Sequence, residues 1–146
     1  MATAKAFYDT DVQMTNPNWL GTAITNDGTT LPGGIRLDPA AFVAEADGKK
    51  RIYSGQIVGR TFAERDAGTA FGPVAEATGA LTDEEIYINL YDQVIGLGMG
   101  EDTQVAVLIP DKSNVVYENF LPDWGTLTAA KKAWVRNNHT TIIARP

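Results

Sequence analysis

Hydrophobic and polar positions along this chain fall into short alternating runs separated by turn signals, and a single stretch keeps a helical period. Residues 82–90 alternate most cleanly: Ile86, Ile88 and Leu90 share one face of an extended segment, with Glu85, Tyr87 and Asn89 on the other. Residues 103–109 repeat the pattern through Val105, Val107 and Ile109. Residues 51–59 read as a strand after the Asp47-Gly48 turn, and residues 94–97 extend the alternating segment past a bend. Gly98-Met99-Gly100 and Pro110-Asp111-Lys112-Ser113-Asn114 read as turns, followed by a strand over residues 115–120. Asp38-Pro39 can open a helix, with Asp38 as the cap and Pro39 in the first turn. Residues 60–74 keep neither period and read as a structured loop.

The helical stretch lies near residues 127–138. Leu127, Ala130 and Trp134 recur at spacings of three and four, so they line one face. Thr126 or Thr128 can cap the start, because either hydroxyl can accept from a free backbone N–H. Lys131, Lys132 and Arg136 fall toward the C-terminal end, where the helix dipole favours cations. Asn137-Asn138 is a stop, and residues 140–144 make a final strand. The expected class is mainly β with one C-terminal α-helix, an α+β fold.

Residues 1–37 read differently. Thr, Asn, Gly and Pro dominate, yet Phe7, Tyr8, Val12, Met14, Trp19, Leu20, Ile24 and Leu31 are scattered among them. A disordered tail has little use for such side chains. They read as separate anchors that need a surface, supplied by this domain, a sister subunit or another protein. The expected organisation is an extended N-terminal arm over residues 1–37 and a compact β-rich domain over residues 38–146.

Composition narrows the chemistry. At 146 residues the chain is most simply one domain. A net charge of −6 argues against nucleic acid and anionic membrane surfaces as partners. The charges are segregated: Asp83, Glu84, Glu85, Asp92, Glu101 and Asp102 occur together without a base, while Lys131, Lys132, Arg136 and Arg145 accompany only Asp123 in the last stretch. That pattern suits subunit sides facing a neighbour, or two solvated faces. There is no cysteine, so disulfides and thiolate sites are excluded. No apolar run reaches a membrane span, and residues 1–10 lack the apolar core of a signal peptide.

Catalytic groupings are sparse. His139 is the only histidine, which excludes a multi-histidine metal site within one chain. Asp83-Glu84-Glu85 lacks the ligand alternation of a calcium loop. The glycines at 96, 98 and 100 precede strand-like sequence instead of the helix that a phosphate loop needs. Arg60, Glu64, Arg65 and Asp66 can form an ion-pair network within or between subunits, and Trp124 beside Pro122 can face a partner. No catalytic, metal-binding or cofactor-binding residue is assigned, and no enzymatic activity is expected. Two other function classes remain at this level: a tail- or fibre-type module binding a glycan through its tryptophans, and a small carboxylate-dependent enzyme.

The C-terminal order of elements carries a resemblance. A strand at 105–109, a turn at 110–114, a strand ending Tyr117-Glu118-Asn119-Phe120-Leu121-Pro122, a Lys131-Lys132 helix and a closing Thr141-Ile142-Ile143 strand resemble the head-decoration (capsid cement) proteins of lambda-like tailed phages. The resemblance covers about the last 45 residues. The block from Gly59 to Asp66 has no counterpart in it. It implies a compact β/α body that assembles as a homotrimer on the outer surface of an expanded phage shell. The protein would then be made in the host cytoplasm and end in the virion. The arm would lie on the major capsid protein, with Phe7, Tyr8, Val12, Met14, Trp19, Leu20 and Ile24 as its grip. Arg60, Glu64, Arg65, Asp66 and Trp124 are the candidate subunit contacts.

Overall fold

The computed structural model describes residues 16–22, 24, 29–96 and 103–143. Its strands are β1 (Ile35–Leu37), β2 (Lys50–Ile52), β3 (Ile57–Arg60), β4 (Gly72–Pro73), β5 (Glu76–Ala77), β6 (Ala80–Leu81), β7 (Glu85–Asn89), β8 (Gln93–Ile95), β9 (Thr103–Val105), β10 (Val107–Leu108), β11 (Val115–Tyr117) and β12 (Thr140–Ile142). The long helix is Ala129–Asn138, and a short one spans Phe62–Asp66. The described chain is mainly β with a C-terminal helix, as the alternating pattern predicts.

An antiparallel sheet in the order β10–β7–β3–β4 lies at the centre. Successive side chains of a strand point to opposite faces, so a strand apolar at every position must be covered on both. β3 is such a strand at its start, where Ile57 and Val58 are both buried. Ile57 joins Ile86, Ile88 and Leu108 in a first core with Trp19, Leu20, Ile24, Val116, Leu121 and Val135. Val58 and Val107 point the other way, into a second core with Ile35, Leu37, Phe42, Ile52, Phe71, Ile95 and Val105. Pairs β1–β9 and β2–β8 wall the second core.

Several expected elements are divided. The strand at 51–59 is broken at Tyr53-Ser54-Gly55-Gln56, where Gln56 N–H donates to Tyr53 O and Gly55 adopts φ +89°. A side chain at Gly55 would meet Pro122 at 2.6 Å, so both backbone and space require glycine. The strand at 103–109 changes sheets at Ala106, with β9 on β1 and β10 on β7. The strand at 115–120 stops after Tyr117, because Glu118–Phe120 turns into a 3-10 helix with Glu118 buried. The expected loop at 60–74 contains the helix Phe62–Asp66, closed by a reciprocal cap: Thr61 accepts from Glu64 N–H, and Glu64 accepts from Thr61 N–H. The long helix is capped by Thr128 and buries Val135, while Leu127 and Trp134 of the expected face pack against the same first core.

The main correction concerns the arm. Trp19, Leu20 and Ile24 are buried in the first core, so these three do not grip an outside surface. Gly21 N–H donates to Val115 O at 2.8 Å, Tyr117 N–H to Trp19 O at 2.7 Å, and Leu20 bridges Val116 antiparallel. Trp19 Nε1 donates to Ser54 Oγ at 2.8 Å, and Ser54 Oγ donates to Leu90 O at 2.6 Å. The indole is therefore both packed and paired, as a buried tryptophan needs. Farther on, Leu31 packs on the second core and Leu37 lies within it. Residues 16–37 belong to the body wherever they are described. Phe7, Tyr8, Val12 and Met14 lie outside the described residues.

Removing the Trp19 side chain should leave a cavity beneath the central sheet. Trp19→Ala should lower the unfolding free energy by about 3–5 kcal/mol in chemical denaturation, and deletion of residues 1–31 should abolish cooperative unfolding. A parent-like transition in the truncated chain would show that this segment is a dispensable arm.

Candidate functional site

The residues expected at a subunit interface do not act as one cluster. Arg60 is turned into its own fold: Nε donates to Glu85 Oε1 at 2.8 Å and Nη1 to Thr69 O at 2.8 Å. Its guanidinium also lies 4.3 Å from the Phe71 ring centroid. Glu64 is committed to the cap of its helix. Arg65 and Asp66 pair with each other on the surface, with Arg65 over the Phe62 ring at 4.7 Å. Trp124 lies on the other side of the sequence, packed partly on the first core. Arg136 and Lys132 approach its ring at 5.3 and 5.7 Å. A ring with cations over it is not a free platform for a sugar, and Trp19 is fully buried.

The C-terminal unit is built around a charge pair that sequence spacing did not reveal. Glu118 is buried, and Arg136 grips it with two bonds, Nε to Oε2 at 2.8 Å and Nη2 to Oε1 at 2.9 Å. The guanidinium holds the Glu118 carboxyl below the usual carboxylate range, against the opposing effect of burial. The pair fixes the long helix to the turn after β11. Lys112 Nζ then donates to Arg136 O at 2.9 Å near the helix end, where carbonyls lack helical partners.

β12 runs parallel to β11, with Val115, Val116 and Tyr117 opposite Thr140, Thr141 and Ile142. Val116 points into the first core. The alternation therefore puts Val115, Tyr117, Thr140 and Ile142 on the opposite, outward face. Phe120 meets the Tyr117 ring edge-on, with centroids 6.3 Å apart. A side chain at Gly21 would come within 3.2 Å of the Tyr117 ring, so glycine leaves that ring its place. Phe120 is 46% and Ile142 47% exposed. This is an aromatic and aliphatic sheet face left open by the described residues.

A cleft of about 470 Å³ opens elsewhere, lined by Phe42, Val43, Tyr53, Val74, Leu127 and Lys131 among others. At its edge Arg51 pairs with Glu45 and Asp47, and the Tyr53 hydroxyl donates to Glu45. A shallower cavity includes Asp38, Glu64 and Asp83. Each of these carboxylates accepts a backbone N–H, from Ala40, Thr61 and Ala75 respectively. Burial pushes the Asp83 carboxyl up, and the Glu64 and Glu84 charges add to that. Among the described residues no group of three or more histidine, cysteine, aspartate or glutamate side chains is placed to hold a metal ion. No described helix is long and apolar enough to cross a membrane. Comparison with protein-family models, with curated proteins and with solved structures finds no match.

His139 occupies the junction between the long helix and β12. It is fully buried, edge-on to Trp134 at 5.7 Å, and neither ring nitrogen has a hydrogen-bond partner among the described residues. Burial pushes its imidazole down from 6.5 to about 4, with nearby Asp111 opposing. Above pH 6.5 the ring is neutral whether the chain is folded or unfolded, so it has no effect on the pH dependence. As pH falls from 6.5 to 4 the unfolded chain takes up a proton that the folded chain refuses, and stability declines. The loss attributable to this group should total on the order of 3 kcal/mol and level off below pH 4. Denaturation of His139→Leu across this range should show a shallower decline than the parent; identical slopes would mean that the ring does not titrate as its burial implies.

Proposed function

We propose that this chain is a non-catalytic capsid-decoration protein that binds as a homotrimer to the outer surface of a phage shell's major capsid protein. The observation that carries this is the C-terminal unit. The order strand, turn, strand, lysine-bearing helix and closing strand, on which the resemblance to decoration proteins rests, is one packed body. Its helix is pinned by Glu118 and Arg136, and its last strand is paired to β11. The carboxylates lining the acid-bearing cavity serve as backbone caps, which suits a structural role better than a catalytic one.

Within this proposal the grip is confined to residues 1–15, where Phe7, Tyr8, Val12 and Met14 are the available anchors. An extended segment can add a strand to a partner sheet, its backbone supplying affinity and alternate side chains specificity. Many modest contacts over one shell then act together to tie neighbouring capsomers. Subunit contacts are assigned to exposed Arg65, Asp66 and the Trp124 side of the helix, since Arg60 and Glu64 are satisfied internally.

Light scattering should give three times the chain mass, and the protein should co-sediment with expanded shells of the phage that encodes it. Deleting residues 1–15 should abolish co-sedimentation and leave the far-ultraviolet circular dichroism unchanged. A strict monomer, or undiminished shell binding by the truncated protein, would contradict the proposal.

A further inference from the structure

We propose that the cleft of about 470 Å³ beside Val43 is a docking site for an extended peptide segment of another protein, which adds as a strand along residues 42–45 and brings an aliphatic side chain to the cleft floor and a carboxylate to Lys131. The inference goes beyond the shell-binding proposal and uses none of the residues assigned there to the grip or to subunit contacts.

A docking strand is already in place. Phe42 is buried in the second core, and the chain leaves it extended, with φ −110° and ψ 149°. No turn or bend interrupts residues 43–45. At the far end Glu45 N–H donates to Lys49 O at 2.9 Å, and the Glu45 carboxylate accepts from Arg51 and from the Tyr53 hydroxyl. The segment is thus held at both ends. Between them, the backbone groups of Val43 and Ala44 bond to no described residue. Neighbouring residues of an extended segment aim their N–H and C=O groups to opposite sides, so each edge offers one donor and one acceptor. Val43 is 88% exposed, the most of the large hydrophobic residues described. A segment fixed at both ends and unpaired in the middle accepts a neighbouring strand with little ordering cost.

The cleft selects what that strand carries. Ile57, Val74, Pro122 and Leu127 give it an apolar floor, and its volume falls in the range of ligand-binding clefts. Gln56 spends its side-chain oxygen on Tyr53 N–H at 3.2 Å, which leaves its amide nitrogen to donate to a peptide carbonyl. Arg51 is taken by Glu45 and Asp47. Lys131 is different: its backbone N–H donates to the Thr128 cap, but its ammonium has no ion pair or hydrogen bond among the described residues. The Asp123 carboxylate, in the same cleft, is also unpaired, and the two do not meet. Lys131 is half-buried and Asp123 exposed. An unpaired charge costs more the further it is withdrawn from water, so the ammonium decides the sign of the occupant.

A sugar or a fatty chain can occupy an apolar floor, but a peptide strand also matches the open backbone of residues 43 and 44. Side chains two apart on a strand share a face, so the aliphatic residue and the acid sit two positions apart.

Capped Ser-Leu-Ser-Asp-Ser, titrated into the full-length protein labelled with nitrogen-15, should shift the amide signals of Val43, Ala44, Gln56 and Lys131 saturably, with Kd on the order of 1 mM. The peptide with Lys in place of Asp should bind about fivefold more weakly. Lys131→Gln should remove that difference and leave the far-ultraviolet circular dichroism unchanged. Methylating the Leu and Asp amide nitrogens, or those of the three Ser instead, should give affinities that differ by about fivefold, because only alternate amides face the protein strand. No saturable shift, equal affinity for the Asp and Lys peptides, a difference that survives Lys131→Gln, or equal affinity of the two methylated peptides would each overturn the proposal.

Discussion

Strand β11 has neighbours from both ends of the chain, and the arrangement of the body depends on that pairing. On one side Trp19, Leu20 and Gly21 run antiparallel to it; on the other β12 runs parallel. Three backbone positions of β11 are thereby held by segments nearly 120 residues apart in sequence. The consequence is energetic as well as geometric. Trp19 becomes the largest fully buried side chain of the first core, and its indole N–H reaches Ser54, which fixes the turn between β2 and β3. The long-range closure of such contacts is entropically costly. It is offset by burial of large apolar side chains, each contributing on the order of 1.5–3 kcal/mol.

The second constraint is the Glu118–Arg136 pair. A carboxylate in that buried position is unfavourable unless paired, and the guanidinium satisfies both oxygens at once. Half of the Arg136 side chain remains exposed, so the pair works chiefly as a geometric lock. It sets the long helix against the turn that ends β11, and that helix delivers the chain to His139 and β12. The apolar outward face exists because this lock and the β11–β12 register place Phe120 and Ile142 on the same side.

Local features were legible in the sequence wherever a period or a cap specified them. The alternation of Ile86, Ile88 and Leu90, the Asp38-Pro39 start and the Thr128 cap all reappear in the structure. Turns inside apolar runs were missed, because Ala106 carries no turn signal and Ser54-Gly55 was absorbed into the strand reading of residues 51–59. They bend to change sheets, which is a tertiary demand. The helix at Phe62–Asp66 was signalled by Thr61 and Glu64, a cap pattern hidden by the charges around it. The partner of Trp19, Leu20 and Ile24 could not be read either. A lone apolar residue without periodicity says that a surface is needed and leaves open whose surface it is. The Glu118–Arg136 pair joins positions eighteen apart across a turn, and no spacing rule predicts it.

The central claim is that residues 19–21 form a structural strand of the body. Native-state hydrogen exchange of the full chain tests it most directly. The amides of Gly21, Val115 and Tyr117 should exchange with the same free energy as that of Asn89 in the central sheet, as one cooperative unit. Rapid exchange of Gly21 and Tyr117 while Asn89 stays protected would contradict the account and return residues 16–24 to the role of a detachable arm.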